Sequence, residues 1–171
     1  MTNSFSHLAS NLIIGLCKGS RLLLPYSQQF NRDLGYSLFR LEASFVLISA
    51  PGGGRSHPDI VTVSSKVGNS ILFELTEAST VGDHKEQQLT RYSRVTTADL
   101  TVVLAIPPQS ARTHDVALIL SPQAIGAFSQ HCVDRGWHYP LLTFTQDDNG
   151  FSLRCESHHR SYAVGAVGAW M

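Results

Sequence analysis

The stretch His57-Pro58-Asp59-Ile60-Val61-Thr62-Val63-Ser64-Ser65-Lys66-Val67-Gly68-Asn69-Ser70-Ile71-Leu72-Phe73-Glu74-Leu75-Thr76 decides the fold. Two β-rich segments, Asp59 to Ser64 and Ser70 to Leu75, flank Ser65 to Asn69, where Gly68 and Asn69 are hairpin-turn residues. With a four-residue turn from Ser65 to Gly68, Asp59 falls directly opposite Glu74. Side chains alternate along a strand with period two, so both carboxylates then share one face of the sheet. Two neighbouring acids raise each other's pKa and cost stability unless a cation sits between them. Oxygen donors of this kind suit a hard divalent ion, Mg²⁺ or Mn²⁺. Such an ion polarises a phosphodiester and lowers the pKa of a bound water, which is the chemistry of hydrolysing a nucleic-acid backbone.

Upstream of the hairpin, Leu8, Leu12 and Leu16 lie four apart between Ser6 and Lys18, and Gly19 follows as a stop, so the spacing predicts a first helix. From Ser27, the residues Phe30, Leu34, Leu38, Leu41 and Phe45 recur every three to four positions and predict a second helix capped by Ser27. Phe39, Leu41, Ala43, Phe45 and Leu47 also alternate as a strand does, so both readings stand. Phe45 to Ala50 reads as a short buried strand closed by the turn Pro51-Gly52-Gly53-Gly54.

Downstream, His84 to Val95 is a polar amphipathic helix and Leu100 to Ile106 a continuous apolar strand ended by Pro107-Pro108. Val116 to Leu120 reads as another buried strand. A helix then starts at Ser121-Pro122, presents Ile125, Phe128, Cys132 and Val133 on one face, and ends at Gly136. A hairpin from Tyr139 to Cys155 turns at Asp147-Asp148-Asn149-Gly150. The tail from Ser157, with its pair His158-His159, predicts no element.

Composition narrows the function. A chain of 171 residues with 43% apolar residues has material for one core, so a single domain over 1–171 is expected. Thirteen Lys plus Arg balance thirteen Asp plus Glu, so no global field draws the protein to a polyanion and any nucleic-acid contact is local. Only Lys18, Lys66 and Lys85 can supply an ammonium. Cys17, Cys132 and Cys155 are far apart and odd in number, which argues against a zinc knuckle or a disulfide framework. The apolar runs are too short to cross a bilayer and no secretion signal opens the chain, so a soluble cytoplasmic protein with no membrane partner is expected.

The run His57-Pro58-Asp59-Ile60-Val61, then Ile71-Leu72-Phe73-Glu74-Leu75-Thr76, then Gln88-Leu89-Thr90-Arg91-Tyr92, resembles the PD-(D/E)XK nuclease superfamily. The last segment has the QxxxY form of its RecB-like branch. The resemblance implies an α/β, restriction-endonuclease-like fold: an αβββαβ core over about residues 27–106, with a mixed central sheet flanked by helices. A further helix and β-hairpin would decorate it over about 107–171. It also implies that Asp59 and Glu74 hold Mg²⁺ or Mn²⁺, completed by an upstream acid, Asp33 or Glu42.

The family places a lysine two residues after the second acid, and here Thr76 stands in that place. Threonine can hold a metal-bound water but brings no positive charge. Members of the superfamily move the lysine to the following helix, and Lys85, Gln88 and Tyr92 share one helical face at i, i+3 and i+7. The expected site is therefore Asp59, Glu74, Lys85 and Thr76, with Gln88, Tyr92 and Arg91 as helix motif and nucleic-acid contacts, acting on DNA in preference to RNA. Cutting both strands of a duplex with one site per chain would favour a homodimer. The competing expectation is a catalytically inactive relative that binds nucleic acid or serves as a protein-binding subunit of a larger complex; zero net charge and Thr76 favour it.

Overall fold

The computed structural model describes residues 5–21, 28–50, 52, 54–147 and 150–155, with side chains described up to Phe144. In chain order the elements are α1 (Phe5–Cys17), β1 (Ser37–Leu41), β2 (Phe45–Val46), β3 (Arg55–Ser56), β4 (Ile60–Ser64), β5 (Asn69–Thr76), α2 (Asp83–Tyr92), β6 (Thr113–Leu120), α3 (Ile125–Arg135), β7 (Leu141–Asp147) and β8 (Gly150–Cys155). Six strands form one sheet in the order β1-β4-β5-β6-β7-β8, while β2 and β3 make a separate two-stranded ribbon. The sheet is mixed. β1, β4 and β5 run antiparallel, β5, β6 and β7 run parallel, and β8 returns antiparallel to β7.

β5 is the spine of the sheet. All eight of its residues are buried, because β4 and β6 cover its edges and helices cover both its faces. Ile71, Phe73 and Leu75 point to one face, where they meet Leu12, Ile13 and Leu16 of α1 with Ala117 and Ile119 of β6. Leu72 points to the other, with Val61, Leu118, Leu89 and Tyr92 of α2, and Phe128 and Cys132 of α3. Burying each such leucine or phenylalanine contributes about 1.5–3 kcal/mol. Burial also raises the thiols of Cys17 and Cys132, to about 12 and about 11, so neither is a reactive thiolate.

The mixed α/β architecture, the central hairpin, α2, α3 with its left-handed Gly136 stop, and the β7–β8 pairing match the sequence reading. Three segments differ. The stretch predicted as a second helix is a single π-turn, Gln28–Asp33, followed by edge strand β1. Gly35 at φ +74° ends the turn, and pairing with β4 rewards the alternating pattern over the helical one. Phe45 to Ala50 does not run on as a strand; only Phe45 and Val46 pair, with Ser56 and Arg55.

Leu100 to Ile106 is no strand either. A π-turn spans Asp99–Val103, burying Leu100 and Leu104 four apart and leaving Val102 and Val103 exposed. Thr96 and Asp99 start it as a reciprocal capping pair: the Thr96 amide donates to Asp99 Oδ2 at 2.8 Å and the Asp99 amide to Thr96 Oγ1 at 3.3 Å. The last strand of the αβββαβ order is therefore β6, and the helix before the sheet is α1, which moves the core from 27–106 to 5–120. Val133 lies exposed rather than on the packed face of α3. Ser27, Pro51, Gly53, Asp148, Asn149 and the tail with His158-His159 lie outside the described residues. No helix among the described residues is long and apolar enough to cross a membrane.

Candidate active site

At the end of the central hairpin the ladder pairs Ile60 with Phe73, one step from Asp59 and Glu74. Asp59 then brackets its partner. Its amide donates to the Phe73 carbonyl at 3.0 Å, and its Oδ2 accepts the Leu75 amide at 2.7 Å, on either side of Glu74. By alternation Glu74 follows Leu72 and Asp59 precedes Val61, which places both on the α2 side of the sheet.

Glu74 is 3% exposed and each of its carboxylate oxygens has a partner. Lys85 Nζ donates to Oε1 at 2.5 Å and the Tyr92 hydroxyl donates to Oε2 at 2.5 Å. Lys85 also donates to Gln88 Oε1 at 2.9 Å, and Gln88 Nε2 donates to the Tyr92 oxygen at 3.3 Å. The ring closes. One helical face thus delivers an ammonium and a phenol to one buried carboxylate, with the Gln88 amide bridging the two, in keeping with the i, i+3, i+7 spacing. Burial pushes the Glu74 carboxyl above the usual range; Lys85 opposes this and the Asp59 charge reinforces it. Burial also raises Asp59, where the Leu75 amide and Lys85 oppose and the Glu42 charge reinforces. Tyr92 is driven up by burial and by Glu74, so it stays a protonated donor.

Asp33 is not brought to the acid pair. That residue is exposed and precedes β1, whose first residue pairs with Val63 at the opposite end of β4 from Asp59. Glu42 is the acid beside Asp59: its amide donates to the Asp59 carbonyl at 2.7 Å, and its backbone takes φ +46° to do so. Thr76 shares the Glu74 face, but its hydroxyl accepts the Ala78 amide at 3.3 Å and serves the turn after β5. Arg91 turns away from the acids. Its side chain lies over Gly54 and donates to the Arg55 carbonyl at 3.5 Å, tying α2 to the β2–β3 ribbon.

A cleft of about 420 Å³ opens beside Asp59 and Glu42, lined also by Ser6, His7, Ser10, Asn11 and Ile14 of α1 and by Leu41. Glu77, just beyond β5, fixes the start of α1 there by accepting the Ser6 amide at 2.9 Å and its hydroxyl at 3.0 Å. Those two bonds hold the Glu77 carboxyl below its usual range. None of these α1 residues stands out in the sequence, because Ser and Asn at helical spacing look like any solvated face.

Carboxylate oxygens are the donors gathered at the strand ends, and no set of three or more His, Cys, Asp or Glu among the described residues forms a metal cage. Oxygen donors of this kind, from Asp59 with Glu42 or Glu74, are the type that an ion keeping most of its water and held by one or two carboxylates, such as Mg²⁺ or Mn²⁺, would take.

Among curated proteins nothing matches this chain, and no solved structure matches it. A family model of the MJECL32 domain matches residues 6–120, from the start of α1 to the last residue of β6, which is the αβββαβ core with its acids and its Lys85 helix. The chain belongs to the MJECL32 domain family.

Proposed function

We propose that this protein is a divalent-metal-dependent nuclease of the PD-(D/E)XK type, hydrolysing phosphodiester bonds of DNA in preference to RNA. One observation carries the reading: the Lys85 ammonium, from the helix after the hairpin, lies 2.5 Å from Glu74 and acts electrostatically on Asp59. The side chain is drawn in from the polar face of its helix to a buried carboxylate, where the lysine of the superfamily motif would be needed.

Asp59 and Glu74 are the residues that would hold the cation, with Glu42 adding charge from the cleft. When bound, Mg²⁺ or Mn²⁺ supplies a water of lowered pKa and a counter-charge for the phosphate oxygens. Lys85 gives the positive charge that Thr76 cannot, toward the attacking water or the charge building on the phosphate. Gln88 and Tyr92 fix the Lys85 and Glu74 rotamers; Arg91 serves the scaffold. Among the described residues no Lys or Arg lines the cleft of Glu42 and Asp59, so nucleic acid is expected to enter it only with a divalent ion present. Cytoplasmic location and a dimer, if duplexes are cut on both strands, belong to the same reading.

A second reading is favoured by the protein partner already present on each Glu74 oxygen and by the Thr76 hydroxyl facing its own turn. On that reading the scaffold binds nucleic acid or a partner protein without cutting. Incubation with plasmid, linear duplex, single-stranded DNA and RNA in Mg²⁺ or Mn²⁺, beside Asp59→Ala and Glu74→Ala, separates the two. Cleavage that disappears with either acid supports the nuclease; no cleavage of any substrate by the wild type supports the non-catalytic scaffold.

A further inference from the structure

We propose that Lys85 is a built-in counter-ion that occupies Glu74 until a divalent cation takes its place, so that cation binding releases the Lys85 ammonium from that carboxylate. The inference rests on the nuclease reading and adds to it an order of events at the same site. Its basis is the hydrogen-bond arithmetic of one carboxylate. Glu74 Oε1 faces Lys85 and Oε2 faces Tyr92, both at 2.5 Å, and the side chain is buried against β4 and β6, so it turns no unengaged oxygen toward solvent. An ammonium and a divalent ion cannot share Oε1 at contact distance, because like charges that close repel strongly in a partly buried site.

Of the two partners, Tyr92 is the fixed one. It is 1% exposed, packed with Leu89 and Leu72, and held by Gln88. Lys85 sits in the first turn of α2 on a flexible stem, with its side chain 17% exposed, and it can swing outward without unpacking the core. Gln88 offers it a second acceptor at 2.9 Å, so the released ammonium stays near the site rather than reaching bulk solvent. Without a cation the buried acid is thereby neutralised internally. With one, the same lysine becomes the mobile positive charge of the site.

The consequence for affinity follows from population arithmetic: the cation binds the form in which Lys85 is off Glu74, and its apparent affinity falls by the fraction of molecules in that form. Removing the ammonium therefore tightens cation binding, roughly tenfold if one molecule in ten is open in the wild type.

Two measurements test this on the intact protein. The first is amine acetylation read by mass spectrometry. With only three lysines, the exposed Lys18 and Lys66 serve as internal references. Lys85 is expected to be protected without metal and to gain reactivity by several-fold in Mg²⁺ while the references stay constant. The second is Mn²⁺ titration by calorimetry of the wild type, Lys85→Gln and Tyr92→Phe. Lys85→Gln is expected to bind about tenfold tighter, and Tyr92→Phe, which frees Oε2 but keeps the ammonium on Oε1, to gain less than Lys85→Gln. Unchanged Lys85 reactivity in Mg²⁺, or equal affinity of wild type and Lys85→Gln, overturns the counter-ion role while leaving the metal site intact. Absence of Mn²⁺ binding by every variant overturns the nuclease reading, and this inference with it.

Discussion

Two carboxylates buried on the α2 side of the sheet, Glu74 and Asp99, show how differently a fold can use a charge. Asp99 is 0% exposed and accepts five hydrogen bonds: from the Ile48, Ser49 and Thr96 amides and from the Ser49 and Thr96 hydroxyls. Burial raises its pKa, but those bonds outweigh the burial and hold it below the usual range. Its partners are neutral groups from two loops, so it works as an anchor joining 47–49 to 96–103. Glu74 has fewer donors, one of them charged, and burial holds its pKa up despite Lys85. An acid satisfied by neutral donors on a loop is architecture. An acid kept costly at a strand end, with another acid beside it, is the kind of group on which the proposed site depends.

The largest expected effect separates the two on activity. Asp59→Asn or Glu74→Gln should lower metal-dependent cleavage on the order of a thousandfold, about 4 kcal/mol of transition-state stabilisation. Initial rates at equal concentrations of folded protein measure this. Asp99→Asn should leave the rate per folded molecule unchanged, and a comparable loss there would erase the distinction.

Stability should reverse the ranking. Asp99→Ala strands several buried donors and should cost about 3 kcal/mol in urea unfolding. A cost within about 0.5 kcal/mol, the range of ordinary surface changes, would mean that Asp99 anchors nothing.

The pH dependence gives the same contrast with opposite signs. The depressed Asp99 contributes stability that is present above the ordinary carboxylate pKa and is lost as pH falls through its lower folded pKa. The raised Glu74 does the reverse: the fold loses stability as pH rises from the ordinary carboxylate range through the higher folded pKa. Unfolding free energy followed from pH 3 to pH 7 should therefore become flatter on the acid side in Asp99→Asn. In Glu74→Gln it should fall less steeply toward neutrality. Equal profiles in all three proteins would contradict both assignments.

The smallest effects concern the upstream acid. Glu42→Gln removes an exposed charge next to Asp59 and should weaken Mn²⁺ binding by about threefold, typical of an exposed charge pair. Asp33→Asn should change neither binding nor stability. The opposite order would return Asp33 to the site.

What was legible in the sequence follows the same division. The Asp59–Glu74 hairpin and the Lys85, Gln88, Tyr92 face were legible because both rest on local periodicity, two along a strand and 3.6 along a helix. Gly136 and the Asp147–Gly150 pairing were legible from turn chemistry. Segments whose conformation depends on distant partners were not. β1 looks helical until β4 is there to pair with it, and Leu100 to Ile106 looks like a strand unless the Thr96–Asp99 capping pair is weighed against its β-branched run. The choice of Glu42 over Asp33 depended on where a loop crosses the strand ends, which no spacing encodes.

The most direct test of two acids sharing one cation is Mn²⁺ binding followed by electron paramagnetic resonance, comparing the wild type, the double variant Asp59→Asn/Glu74→Gln, and Asp99→Asn. The wild type and Asp99→Asn should each bind one ion per chain, and the double variant none. Equal binding by all three, or no binding by the wild type, would contradict a metal site at the end of the central hairpin.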